Sequence, residues 1–555
     1  MEEKKIRALK WLTAAFVVLL ARPDIAGAQS SPRLKPIPPR LGAAPVVAPD
    51  PPSPWQPLTN QPTFLVDGAC NPLQLTDGTV MVQDCGFQDW WQLTPDNTGS
   101  YVNGTWIQLA SLPGGYAPLY HSSAVLADGR VIIEGGEYNF LTPVWTPQGA
   151  IYDPVANTWT SVAPPSFFSG FGPFPQTIGD AQGTVLFDGT YMQANCCTTE
   201  TALLDSKTLT WTPTGAGKFD INDEEGWTLL PNKQVLTVDA YVSGYDPTGT
   251  NSEVYTPCGH NEDDGDDDGG QNCGTWQSAG STVVQMWDSA ASCGGINAAS
   301  FEVGPAILRP DGTVFYTASN ACGAGHTAVY DSNAGTWTPG PDFPNSLDIA
   351  DGPAALLPNG NVLVDTSPGV FNLGTFFFEF DGTNLNPVPG PPNGPVDSSY
   401  YGNMLVLPTG QILFTDFSND IEIYTASGSY NPAWQPTIRH APDKVRPGGT
   451  YRISGNLFNG MSQAAAYGDD VQAATNFPLV RITNRATGHV FFSRTHGHSK
   501  MGVQYGGRVS THFDVPANQE TGASDLVVIA NGIPSASVTV NVRSDADDDE
   551  GDDDD

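Results

Sequence analysis

Residues 120–136 read YHSSAVLADGRVIIEGG. Two short apolar runs flank Asp128-Gly129, a dipeptide that accepts the positive φ angles of a tight hairpin. Gly135-Gly136 closes the second run. Ala150-Ile-Tyr-Asp-Pro-Val-Ala-Asn-Thr-Trp-Thr follows, which reads as a strand, an Asn turn and a strand led by Trp159. Four short strands in about fifty residues make one antiparallel blade.

The pattern recurs along the chain as a kelch-type repeat. Turns are expected at Asp77-Gly78, Asp128-Gly129, Gln182-Gly183, Asn232-Lys233, Asp311-Gly312, Asn359-Gly360 and Thr409-Gly410. Trp106, Trp159, Trp211, Trp276, Trp337 and Trp434 trail the copies, with Leu385 in the tryptophan position of the sixth. Seven copies predict an all-β fold, a seven-bladed kelch β-propeller over residues 58–441. After Pro442 come shorter alternating strands ending in Asn531-Gly-Ile-Pro-Ser, which predict an immunoglobulin-like β-sandwich over 442–543.

The 555 residues include 60 Gly and 48 Pro, a composition suited to many strands joined by turns. Residues 1–28 combine basic residues, an apolar run from Trp11 to Leu20 and Ala26-Gly27-Ala28. That is a cleavable secretory signal, too short to span a bilayer. No transmembrane anchor is expected in the mature chain, and a secreted or cell-surface monomer is. Residues 29–57 hold ten prolines and read as a stiff, unpacked linker. The formal charge of −36 becomes −38 once five positive and three negative residues leave with the signal, which argues against nucleic acid as a partner. The acidic tail, 544–555, reads as solvated. Eight cysteines in an exported chain favour disulfides. Cys70 and Cys85 flank one hairpin, Cys258 and Cys273 bracket an acidic insertion, and Cys293 with Cys322 is a third pair. The adjacent Cys196-Cys197 would bridge each other or pair elsewhere.

A kelch propeller followed by such a sandwich resembles the galactose oxidase and glyoxal oxidase family of copper-radical oxidases, over residues 60–543. The resemblance implies one copper held by two tyrosines and two histidines, one tyrosine being joined to a cysteine by a thioether. Tyr120 in Tyr-His-Ser-Ser-Ala is similar to the radical tyrosine, Cys70 lies where the linked cysteine would, and Tyr138 stands at the stacking aromatic. Tyr400 matches the axial tyrosine, while Tyr401 occupies a position the family gives to histidine. Thr495-His-Gly-His-Ser is similar to the ligand loop, making His496 a ligand, with His498 a replacement for the missing imidazole. Imidazole nitrogen and phenolate oxygen suit Cu(II). The activity implied is oxidation of primary alcohols or aldehydes by O2, giving H2O2, on an incomplete ligand set. Read alone, the residues leave two partners open for Cys70: Tyr120 or Cys85. The alternative is a non-catalytic propeller that binds glycan or protein at the cell surface. Asp264, Asp266 and Asp268, in D-x-D-x-D-G, match the first half of an EF-hand loop and add a candidate calcium site.

Overall fold

A computed structural model of the chain describes residues 35–38, 53–172, 174–240, 249–258, 274–287, 301–320, 323–468 and 471–544. The signal segment, the acidic insertion with Asp264, Asp266 and Asp268, Cys273, Cys293, Cys322 and the acidic tail lie outside the described residues.

The chain is all-β. Successive antiparallel meanders run strand to strand in sequence order, beginning with Ala69–Gln74, Val80–Asp84, Trp90–Thr94 and Thr105–Gln108 in one sheet. The first strand of each meander neighbours the first strand of the next around a ring. Ala69–Gln74 meets Ser122–Val125, which meets Gly183–Val185. Thr228–Leu229 meets Val303–Leu308, then Pro353–Leu356, then Asn403–Val406, which returns to Ala69–Gln74. These inner strands are buried on both faces and carry little period-2 alternation, whereas outer strands such as Thr158–Val162 are mostly exposed. This is a β-propeller-like arrangement.

The trailing tryptophans tie neighbouring sheets together. The indole of Trp159 donates to Ala110 O at 2.9 Å and that of Trp211 to Ala163 O at 2.8 Å, each acceptor lying just past the outer strand of the preceding sheet. An indole buries a large apolar face and still satisfies its N–H at such a seam. The last propeller sheet departs from the expected pattern. Trp434 lies in a 3-10 turn, Pro432–Trp434. The tryptophan of that sheet is Trp55, on Trp55–Pro57, which pairs antiparallel with Glu422–Tyr424. Its indole donates to Pro389 O at 2.5 Å, past the outer strand Leu385–Val388. The sheets therefore begin at Trp55 rather than at residue 58.

Three other expectations change. The third turn is Asp188-Gly189, where Leu186 N donates to Thr190 O and Gly189 has φ +93°, while Gly183 opens a strand. Thr437–His440 pairs with Thr450–Asn456, so the C-terminal sheet starts before residue 442. Lys35–Pro38, inside the stretch read as an unpacked linker, is partly packed: Lys35 is 1 % exposed.

The C-terminal strands form one continuous path in which Val490–His496 pairs through its first half with Leu479–Asn484 and through its end with Val509–Asp514. This part rests on the hairpin end of the meanders: Thr495 N donates to Thr76 O, His498 N to Ala127 O and Met501 N to Phe187 O. Residues 459–468 and 471–477 leave it and run along the ring axis. Gln463 bonds Thr184 and Leu229, Ala465–Tyr467 pairs with Pro353–Ala355, and Gln472 Nε2 donates to Trp227 O. One segment that touches the inner strands of several sheets must lie between them. Disulfides join Cys70 to Cys85 and Cys196 to Cys197, and Cys258 is also disulfide-bonded. Among the described residues no helix is long and apolar enough to cross a membrane.

Candidate functional site

The end of the ring opposite the hairpins carries the chemistry, because the one to four residues before each inner strand bring side chains toward the axis. Those positions hold Tyr120, Asp180, Glu224, Glu302, Asp351, Tyr400 and Tyr401, and every one of these side chains is buried. Tyr120, Tyr138, Tyr400 and Tyr401 gather in one cluster with Cys70, Cys85 and Phe417. The Tyr120 and Tyr138 rings are 6.1 Å apart at their centroids, and Tyr400 and Tyr401 are 4.5 Å apart. Below them, Tyr467 of the axial segment donates its hydroxyl to Tyr400 O at 2.7 Å.

The floor of this pocket is acidic, and a cation from the same chain stands in it. Lys35 Nζ lies 3.5 Å from Asp180 Oδ2, 3.6 Å from Glu224 Oε2 and 3.5 Å from Asp351 Oδ2. The Lys35 backbone N–H donates to Glu137 Oε1. Its carbonyl accepts from the Tyr138 hydroxyl, and the Pro36 carbonyl accepts from Tyr120 Oη at 2.9 Å. Lys35 thus has its side chain, its N–H and its carbonyl all read by the protein, with the ammonium 5.7 Å from the Tyr120 ring centroid. Burial, and then the charge of Asp180, pushes Glu137 well above the usual carboxylate range, against the pull of Lys35. Glu302 is pushed the same way by burial, Asp351 and Glu224. A buried ammonium without such partners would be prohibitively costly.

Of the residues read as a copper centre, Cys70, Tyr120, Tyr138 and Tyr400 come together here. His496 and His498 do not join them. His498 N bonds Ala127, beyond the far end of Ser122–Val125, whereas Tyr120 precedes that strand, a separation of roughly 20 Å at strand rise. His496 Nε2 faces Asp514 Oδ1 at 3.2 Å and its ring stacks on His512. His498 bonds Thr511 Oγ1 at 2.9 Å, stacks on Phe477, and is lowered to about 3 by burial. The nearest imidazole to the tyrosines in sequence, His121, is turned away to Gln83 Oε1 at 2.9 Å and Asn71.

The donor set does not fit the copper implied by the resemblance. His496 and His498 lie elsewhere, His121 is engaged by Gln83 and Asn71, and the sulfur of Cys70 is joined to Cys85 rather than to Tyr120. Burial raises every phenol of the cluster above its ordinary value, and at Tyr120 the neighbouring Tyr400, Glu137 and Asp351 add to it. These are neutral hydrogen-bond donors, and two of them are used as such on Lys35–Pro36.

Asp180, Glu224, Glu302 and Asp351 escaped the sequence reading because they are scattered along the chain, each ahead of a different inner strand. The available signal was positional: one acid just before the inner strand in four consecutive copies of the repeat.

No family model matches the chain, and no curated protein matches it. Solved structures match it at low similarity. The structure of YjhT is 13% identical over 60% of this chain and 99% of its own, with a TM-score of 0.37. A catalytically inactive form of virginiamycin B lyase from Staphylococcus aureus with quinupristin is 9% identical over 67% and 99%, TM-score 0.42. YCF48 from Cyanidioschyzon merolae is 9% identical over 67% and 98%, TM-score 0.39.

Proposed function

We propose that this is an exported, non-catalytic, seven-bladed propeller with an immunoglobulin-like C-terminal sandwich, whose axial pocket binds a lysine-bearing, proline-flanked segment of a partner protein. Lys35 occupies that pocket in cis as a pseudo-ligand. The observation that carries the reading is the complete recognition of Lys35-Pro36, with three buried carboxylates on the ammonium and two tyrosine hydroxyls on consecutive carbonyls. Main-chain bonds would hold an extended peptide in place, and the acids would select lysine.

The test is calorimetric titration of the full-length Lys35→Ala protein with acetyl-Lys-Pro-Ile-Pro-amide. Lys35→Ala should bind the peptide, while the wild type should bind at least about 10-fold more weakly because its own Lys35 competes. Adding Asp351→Asn to Lys35→Ala should cost about another 10-fold, since a charge-assisted contact is lost. A norleucine peptide binding Lys35→Ala as well as the lysine peptide does would sink the reading.

The oxidase reading retains one observation in its favour, the gathering of Tyr120, Tyr138 and Tyr400 beside Cys70. Counting thiols decides between the two. After aerobic copper loading, denaturation and full reduction, all eight cysteines should titrate as free thiols, with no H2O2 formed from primary alcohols or aldehydes. One thiol fewer, restored by Tyr120→Phe, together with peroxide, would instead establish the thioether and the oxidase.

A further inference from the structure

Lys35 meets the pocket through three groups. Its ammonium faces Asp180, Glu224 and Asp351, its carbonyl accepts from the Tyr138 hydroxyl, and its main-chain nitrogen donates to Glu137 Oε1. The first two contacts suit any lysine in a chain. The third is out of proportion to the group it meets. A peptide N–H offers one hydrogen and no charge, yet it faces an entire carboxyl group with no solvent exposure.

Glu137 is fixed where it stands. Its N–H donates to the carbonyls of Leu119 at 3.1 Å and Tyr120 at 3.0 Å, and its carbonyl accepts from Val144 N at 2.8 Å. The side chain is only half used. Oε1 accepts from Lys35 N, while Oε2 is buried with no hydrogen-bond partner. Neither protonation state cures this. Ionised, Oε2 lacks a donor; protonated there, its O–H lacks an acceptor. Leaving a buried polar atom unmatched is costly and uncommon.

The charges point the same way. Glu137, Asp180, Glu224, Glu302 and Asp351 are all at most 2 % exposed, and the cation set among them is the ammonium of Lys35. Burial, and then Asp180, holds Glu137 well above the usual carboxylate range in spite of that ammonium. A second positive charge at the position of Lys35 N would favour its ionised form. An α-ammonium supplies that charge together with three N–H donors, enough to engage both Glu137 oxygens.

We propose that the axial pocket recognises an N-terminal lysine, with Glu137 reading its α-ammonium, so that the partner presents a free Lys-Pro end. The inference rests on the lysine-binding pocket proposed above and adds which end of the partner enters it. Lys35 is joined to Leu34 through a peptide bond, so it reproduces the ammonium and carbonyl contacts but not the charge at the nitrogen. It is an incomplete copy of the ligand. That difference lets a partner displace a tethered competitor, whose effective concentration is high, because the partner gains a charge-assisted bond that the cis segment lacks.

Calorimetric titration of full-length Lys35→Ala with three peptides provides the test. One is Lys-Pro-Ile-Pro-amide with its α-amine free, one is the same peptide acetylated, and one is 6-aminohexanoyl-Pro-Ile-Pro-amide, which keeps the ammonium and carbonyl but has no α-nitrogen. The free amine should bind at least about 10-fold more tightly than the acetylated peptide, and the acetylated peptide more tightly than the 6-aminohexanoyl one. Adding Glu137→Gln to Lys35→Ala should bring the free and acetylated peptides within about 3-fold of each other. Equal binding of those two peptides to Lys35→Ala overturns the proposal and leaves the lysine pocket standing. A full preference for the free amine in the Glu137→Gln variant overturns it too, because another group then reads the amine. Binding of none of the three peptides overturns both readings. The peptide comparison needs no substitution at Glu137, so it decides the matter even if Glu137→Gln fails to fold.

Discussion

Replacing Lys218 by methionine should lower the stability of the protein by about 3–5 kcal/mol, because three buried carboxylates lose their common counter-ion. Lys218 Nζ is within 3.2 Å of Glu225, Asp239 and Glu253, all buried, and Phe219 N adds a bond to Glu253. Burial alone would discharge this ammonium, but Asp239, Glu225 and Glu253 outweigh it and hold it charged. The loss should depend on pH with a definite sign. Burial raises the folded-state value of Glu253 to about 7 and that of Glu225 well above 4.5, while Lys218 pulls both back. Without Lys218 both rise further. Between about pH 4.5 and those raised values the folded state binds more protons than the unfolded chain, so stability falls as pH rises through that window. The deficit of Lys218→Met against wild type should therefore be largest near pH 8 and shrink toward pH 5. Urea unfolding of both proteins at the two pH values checks this. A deficit that does not change with pH would mean that the acids do not depend on the ammonium.

Gly135→Ala should cost about 2–4 kcal/mol, although it adds a single methyl group. Gly135 has φ +77°, and a Cβ there would lie 2.0 Å from Gly179 O and 2.7 Å from Ile178 Cγ2. That carbonyl also accepts from Gly136 N at 2.6 Å, so it cannot retreat without breaking the contact between sheets. Gly448 separates the two effects. It has a similar φ, +76°, with nothing within 4 Å of its virtual Cβ, so Gly448→Ala should cost only the left-handed penalty of about 1–2 kcal/mol. Thermal unfolding of the two variants measures the difference, and equal losses would refute the steric account of Gly135.

The Gly-Gly pair was legible because its requirement is local, and so were most of the hairpin turns, whose glycines need positive φ. The turn expected at Gln182-Gly183 was misplaced because an apolar run, Thr184-Val-Leu-Phe, looks the same before a turn as after it, and Asp188-Gly189 is the real reversal. Tyr120, Tyr400 and Tyr401 share a positional signal: each shortly precedes an inner strand, so the repeat places them toward the axis. The histidines failed for the converse reason. Thr-His-Gly-His carries a local likeness, but which segment enters the ring is a tertiary property, and it is residues 459–468 and 471–477 that do so. Trp55 was read as linker because pairing with Glu422–Tyr424 leaves no trace in neighbouring residues. The burial of Lys35 left no local trace either, since a proline-rich stretch is compatible with both a solvated spacer and a bound extended strand.

Trp55–Pro57 pairs with Glu422–Tyr424 across about 370 positions of sequence. The order of synthesis therefore opposes the order of assembly: the strand that leaves the ribosome among the first must wait for one of the last. Until it docks, Glu422–Tyr424 presents an open edge with unmet N–H and C=O groups, the kind of edge that recruits other chains. Every earlier four-strand meander forms from contiguous residues, so this closing pair spans far more of the chain than any pairing within those meanders. A chain released before that latch engages would be a nearly finished ring with one adhesive side.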